Sequence, residues 1–167
     1  RGGGLLKYQI RQKIFSFGDH FAIKNDMEED QFIVRGRVFT LGNKLTIEDL
    51  EGNELVYIEQ KVFRLLPEYN IYSGGQHLAN IKKEFSFFKP RFNIESSVGS
   101  YTMTGNVWAH DFEIQKDGRE VAWVNKKWMS FSDTYLAEID DGEDQAFMLA
   151  LVIVIDQVFH DNNKNNS

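Results

Sequence analysis

The chain has 167 residues, 42% of them apolar and 14% aromatic, with a formal net charge of −6, two prolines and no cysteine. That length suits one domain with a sizeable core, and the composition excludes a disordered or proline-rich chain. The missing cysteine removes disulfides, thiolate nucleophiles and zinc–thiolate sites, while the acidic balance argues against a nucleic-acid partner and, less strongly, against anionic membranes, where a local basic patch outweighs the total.

The first residues, 1–7, read as a disordered lead-in or a cloning remnant; Arg1 to Leu6 has no apolar stretch long enough for a secretory signal. From there a repeat of roughly two dozen residues runs along the chain. A basic residue recurs at Lys13, Arg37, Lys61, Lys83 and Lys127, the last step being about double. A large apolar residue follows two places later: Phe15, Phe39, Phe63, Phe85 and Met129. Further on come Phe21, Leu45, Tyr69 and Tyr135, and then Ile23, Ile47, Ile71 and Ala137; the fourth copy slips by one place, to Phe92 and Ile94, just after Pro90. Each copy meets turn residues, such as Asn25-Asp26, Gly52-Asn53, Gly74-Gly75 and Asp117-Gly118, which tolerate the positive φ of tight hairpins. A second apolar stretch follows the turn, as in Leu55 to Ile58 and Val121 to Val124. The unit is strand, turn, strand, turn, with no room for a crossover helix, so pairing is antiparallel. The double step hides a degenerate copy around Ser100 to Ile114. Six units give roughly twelve strands, which favours closure or division into two packed sheets.

Lys82, Lys83, Lys89 and Arg91 make the densest basic cluster, with Phe85, Phe87, Phe88 and Phe92 among them. Cations beside apolar side chains suit an anionic headgroup or phosphate. The competing reading is a solvated strand face, with Lys83 kept by the repeat. The acidic stretch Glu138, Asp140, Asp141, Glu143 and Asp144 lacks the spacing of a calcium-binding EF-hand loop; capping of the helix that follows explains it more simply. No metal ligand set and no cofactor site is assigned.

Residues 146–155 contain no polar side chain. They are too few to span a bilayer, which needs about 20 apolar residues. A central strand suits Val152 to Ile155, but Phe147 to Leu151 mixes in good helix formers. A helix from about Asp144 to His160, apolar all round and therefore enclosed on all sides, satisfies both length and composition. The Asn-rich end, 162–167, reads as a disordered tail.

His20, His77, His110 and His160 are scattered, and no nucleophile elbow, zinc-protease helix or phosphate loop is present. Trp108, Trp123 and Trp128 suit cross-strand packing better than a ligand platform. No catalytic residue is assigned.

Several runs resemble the LURP-one-related family, of the tubby C-terminal-like and phospholipid scramblase-like group. They are Tyr8-Gln-Ile-Arg-Gln-Lys-Ile-Phe-Ser-Phe, Gly36-Arg-Val-Phe-Thr-Leu-Gly-Asn-Lys-Leu and Ile81-Lys-Lys-Glu-Phe-Ser-Phe-Phe-Lys-Pro. Val121-Ala-Trp-Val-Asn-Lys-Lys-Trp, Asp133-Thr-Tyr and Leu149-Ala-Leu-Val-Ile-Val-Ile-Asp close the match. The resemblance covers about residues 8–161 and implies a mainly β fold: a closed antiparallel barrel of twelve strands around a central hydrophobic C-terminal helix. Tubby proteins bind phosphoinositides and scramblases act on lipids, so it implies a role at phospholipid headgroups or a membrane surface, but it transfers no individual binding residue. The expectation is a soluble, cytoplasmic, non-catalytic binding module, peripheral at the inner membrane face when lipid-bound. The alternative is a scaffold for a protein partner or for a homo-oligomer, and an enzyme ranks third. A plug in the lumen places any ligand on the outer wall or at a rim.

Overall fold

A computed structural model of the chain describes residues 3–11, 20–39, 42–86, 89–106, 111–125 and 134–165. The strands are β1 (Leu5–Arg11), β2 (His20–Asn25), β3 (Asp30–Phe39), β4 (Gly42–Glu48), β5 (Glu54–Gln60) and β6 (Glu68–Ser73). They continue as β7 (Gln76–Lys83), β8 (Arg91–Ser96), β9 (Gly99–Asn106), β10 (Asp111–Lys116), β11 (Arg119–Asn125) and β12 (Thr134–Asp140), and the helix α1 (Gln145–Asn165) ends the fold. Each strand pairs antiparallel with its chain neighbours, and β1 pairs with β12, from Leu5 opposite Asp140 to Arg11 opposite Thr134. The sheet is a closed twelve-stranded barrel, as expected.

The repeat is the barrel's strand period. Phe21, Leu45, Tyr69, Phe92 and Tyr135 open alternate strands and face inward, followed two places on by Ile23, Ile47, Ile71, Ile94 and Ala137; all are buried. The degenerate copy supplies Phe112 and Ile114 from β10. Arg37 and Lys83 stand at the far ends of β3 and β7, and Lys61 just after β5. Lys13, Phe15, Lys127 and Met129 lie outside the described residues.

Antiparallel order sends successive connections to opposite ends of the barrel: the turns after β2, β4, β6, β8 and β10 form the short-turn end, and the connections after β1, β3, β5, β7, β9 and β11, most of them longer, form the long-connection end. Three of the short turns, 74–75, 97–98 and 117–118, have two residues, and in two of them both residues have positive φ. Gly74 and Gly75 have φ of 59° and 78°, and Asp117 and Gly118 have 49° and 83°, the left-handed pair that matches strand twist.

The helix runs from the short-turn end through the lumen. Residues 146–155 and Val158 are buried and share one cluster with the inward strand residues, and Asp156 is buried beside them. The central strand alternative fails for a physical reason. A closed barrel offers no free edge inside, so an enclosed strand would leave its backbone groups unbonded, whereas a helix bonds its own. That requirement overrides the β preference of Val152 to Ile155. Asp144 caps the helix: its Oδ1 accepts from the Phe147 amide at 3.0 Å. Phe147 packs edge-on to Tyr101 with ring centres 5.6 Å apart, and Phe159 does so to Phe92 at 6.0 Å and Phe112 at 5.8 Å.

Two boundaries differ from expectation. β1 begins at Leu5, inside the stretch expected as lead-in, because Gly4 is held to the β12–α1 turn: its amide donates to Asp141 Oδ2 at 3.2 Å, and its carbonyl accepts from the Asp141 amide at 3.0 Å. The helix continues to Asn165 rather than giving way to a tail at 162. Neither glycine nor proline interrupts 156–165, and once nucleated a helix gains one bond for each residue added.

Candidate functional site

The expected basic cluster lies at the long-connection end, distributed over two faces. β7 alternates inward and outward, so Lys82 is exposed on the outer wall, between Glu68 of β6 and Asn93 of β8. Lys83 has the inward parity of Ala79 and Ile81 and lies half-buried at the barrel mouth, opposite Phe92. Lys89 is exposed in the connection, and Arg91 opens β8 on the outside. Arg91 Nε lies 3.2 Å from Glu84 Oε2, and Glu84 also accepts from Asn93 Nδ2. Phe92 is core, Phe85 is exposed, and Phe87 and Phe88 lie outside the described residues.

The β6–β7 pairing brings a second loop beside this cluster. Residues 61–67 connect β5 to β6, and 84–90 connect β7 to β8. The Lys61 amide donates to the Glu68 carbonyl at 2.8 Å and the Glu84 amide to the Arg91 carbonyl at 2.8 Å, closing both loop bases; the Lys83 amide ties them together through the Pro67 carbonyl at 3.0 Å. Glu68 is the electrostatic hub. Burial alone would raise its carboxyl, but the Asn80 hydrogen bond and the charges of Lys82, Lys61 and Arg64 outweigh burial and hold it below its ordinary value. Lys61 Nζ is 3.6 Å and Arg64 Nε 3.7 Å from its oxygens. The repeat contains the signal for this neighbourhood, since Lys61 and Lys83 occupy equivalent positions and therefore the same end of the barrel.

The acidic stretch caps the opposite end. Glu143 accepts from the Tyr101 hydroxyl at 2.8 Å and pairs with Lys116 Nζ at 3.5 Å; Asp140 accepts from the Gly142 amide at 2.9 Å and faces Arg119 Nη1 at 3.6 Å. Burial, then the Glu143 bond and nearby acids, pushes the Tyr101 phenol well above its ordinary value. Among the described residues no group of three His, Cys, Asp or Glu is arranged to hold a metal ion.

His77 meets Asn70 Oδ1 at 3.0 Å and packs edge-on to Tyr72; His20 is exposed. His110, Trp108 and Trp128 lie outside the described residues, as does the His160 side chain. Trp123 lines a shallow outer-wall depression of about 250 Å³ with Leu5, Asn125, Leu136 and Glu138. Beside it, burial first and then the shared hydrogen bond with Glu120 raise the Glu113 carboxyl. A raised carboxyl costs stability as pH climbs from the unfolded value to the folded one, and the loss persists above it. Glu113→Gln is therefore expected to raise the melting temperature at neutral pH and to leave it unchanged below about pH 4; equal shifts at both pH values would refute the coupling.

Among the described residues no helix is long and apolar enough to cross a membrane. The LURP-one-related family model matches residues 6–156. The chain is 38% identical over 157 residues to the uncharacterized protein YxjI of Bacillus subtilis (strain 168), covering 93% of this chain and 95% of that one. An X-ray structure of a protein from Arabidopsis thaliana superposes with a TM-score of 0.68 at 17% identity, covering 93% of this chain and 92% of that one, a likeness of fold alone. The family model spans all twelve strands of the closed barrel and the first half of the helix, and the chain belongs to the LURP-one-related family.

Proposed function

We propose that the domain is a non-catalytic binding module that docks on anionic phospholipid headgroups at a membrane surface through its long-connection rim. One observation carries this reading: Lys61, Arg64, Lys82, Lys89 and Arg91 converge there from two adjacent loops and the strands flanking them. The helix fills the lumen, which leaves the exterior for a ligand. Glu68 and Glu84 neutralise part of the charge, so attraction rests on the sum of several cations, each contributing about 1 kcal/mol near an anionic surface.

Co-sedimentation with phosphatidylserine-containing vesicles at low ionic strength tests it. Binding is expected, and it should weaken as added salt shortens the screening length toward about 10 Å. No salt-sensitive binding would remove the proposal.

A further inference from the structure

The rim carries more than charge. Phe63 is 93% and Leu65 100% exposed on the 61–67 loop, and Phe85 is 73% exposed on the neighbouring one. Phe63 also has a φ of 58°, a conformation that costs an aromatic residue strain. The loop is held at its base and anchored by Pro67, so these side chains project from a fixed platform.

The barrel ends also differ in charge. Among the described residues, the short turns at 26–29, 49–53, 117–118 and 141–144 carry acids and no lysine or arginine. The 61–67 loop carries Lys61 and Arg64 and no acid. A chain of net charge −6 is repelled by an anionic surface in most orientations, and this segregation singles out the one that is attracted.

We infer that the rim is an insertion wedge: Phe63 and Leu65, with Phe85 beside them, enter the interfacial layer of an anionic bilayer, and the acidic end points away from it. The inference rests on the membrane reading proposed above. Protruding apolar side chains ringed by cations match a bilayer's layered chemistry, with anionic headgroups outside and acyl chains beneath. A protein partner would have to supply a pocket for each of them. The helix then stands roughly along the membrane normal, its C-terminal end nearer the lipid.

Because the chain has no cysteine, single labels are clean. Leu65→Cys and, at the opposite end, Leu50→Cys would each carry an environment-sensitive fluorophore and meet vesicles of phosphatidylcholine with phosphatidylserine. Sedimentation run in parallel reports binding itself. The label at 65 is expected to brighten and shift to the blue, and the label at 50 to stay unchanged. Phe63→Ser with Leu65→Ser is expected to weaken partitioning on the order of tenfold while keeping the wild-type melting curve. Sedimentation with neither label responding, or with both responding alike, overturns the wedge and leaves membrane binding standing. No sedimentation at all overturns both. A vesicle-free dimer that the double serine variant returns to monomer would assign the rim to a second copy of the chain and overturn the wedge.

Discussion

Leu151→Asp is expected to abolish cooperative folding. Leu151 sits mid-helix with no exposed surface, among side chains buried in the same cluster. Truncating a buried leucine costs about 2–5 kcal/mol. An enclosed carboxylate without a partner adds several more, whether it stays ionised or takes up a proton. The sum rivals the roughly 5–15 kcal/mol that holds a typical domain together. Circular dichroism should show no thermal transition, and the chain should aggregate. Leu151→Ala, which removes volume without adding charge, should still fold with a lowered midpoint. A soluble Leu151→Asp protein with an unchanged melting temperature would refute the enclosed helix.

Phe147→Ala is the next largest effect expected. Its ring is 1% exposed and packs edge-on to Tyr101 at the short-turn end. Removing it leaves a cavity between helix and wall, at a cost of about 3–5 kcal/mol. For a chain of this size each kcal/mol lowers the melting temperature by about 2–4 °C, so a drop of about 10 °C is expected, with a matching fall in the urea midpoint. Tyr101→Phe makes a useful contrast: it keeps the ring and deletes the hydroxyl that donates to Glu143, for about 1 kcal/mol. Equal losses from the two substitutions would place the energy in the hydrogen bond rather than in packing.

These effects depend on features that were readable from residue order. Phe21, Leu45, Tyr69 and Tyr135 recur because each opens a strand on the inner wall, and that recurrence yields the strand count. Residues 146–155 are apolar on all sides because all sides are enclosed. The rim was harder to see. Val62-Phe63 and Leu65-Leu66 look like another core stretch in a one-dimensional pattern, and only the positive φ of Phe63 and the closed loop base put Phe63 and Leu65 outside. The ion pairs were equally hidden. Glu68 meets Lys82 through strand register, and Arg91 reaches Glu84 across a loop. Sequence proximity grouped Lys82 with Lys83, yet strand alternation sends one to the outer wall and the other to the mouth.

The order of elements along the chain constrains how this molecule is made. The helix that fills the lumen follows all twelve strands, and β1, already beside β2, finds its second partner only when β12 has been synthesised, from Leu5 across to Asp140. A nascent chain on the ribosome therefore has hairpins with apolar inner faces but nothing yet to cover them. Its final collapse awaits the emergence of β12 and the helix, and until then those apolar faces are open to sticking to neighbouring chains.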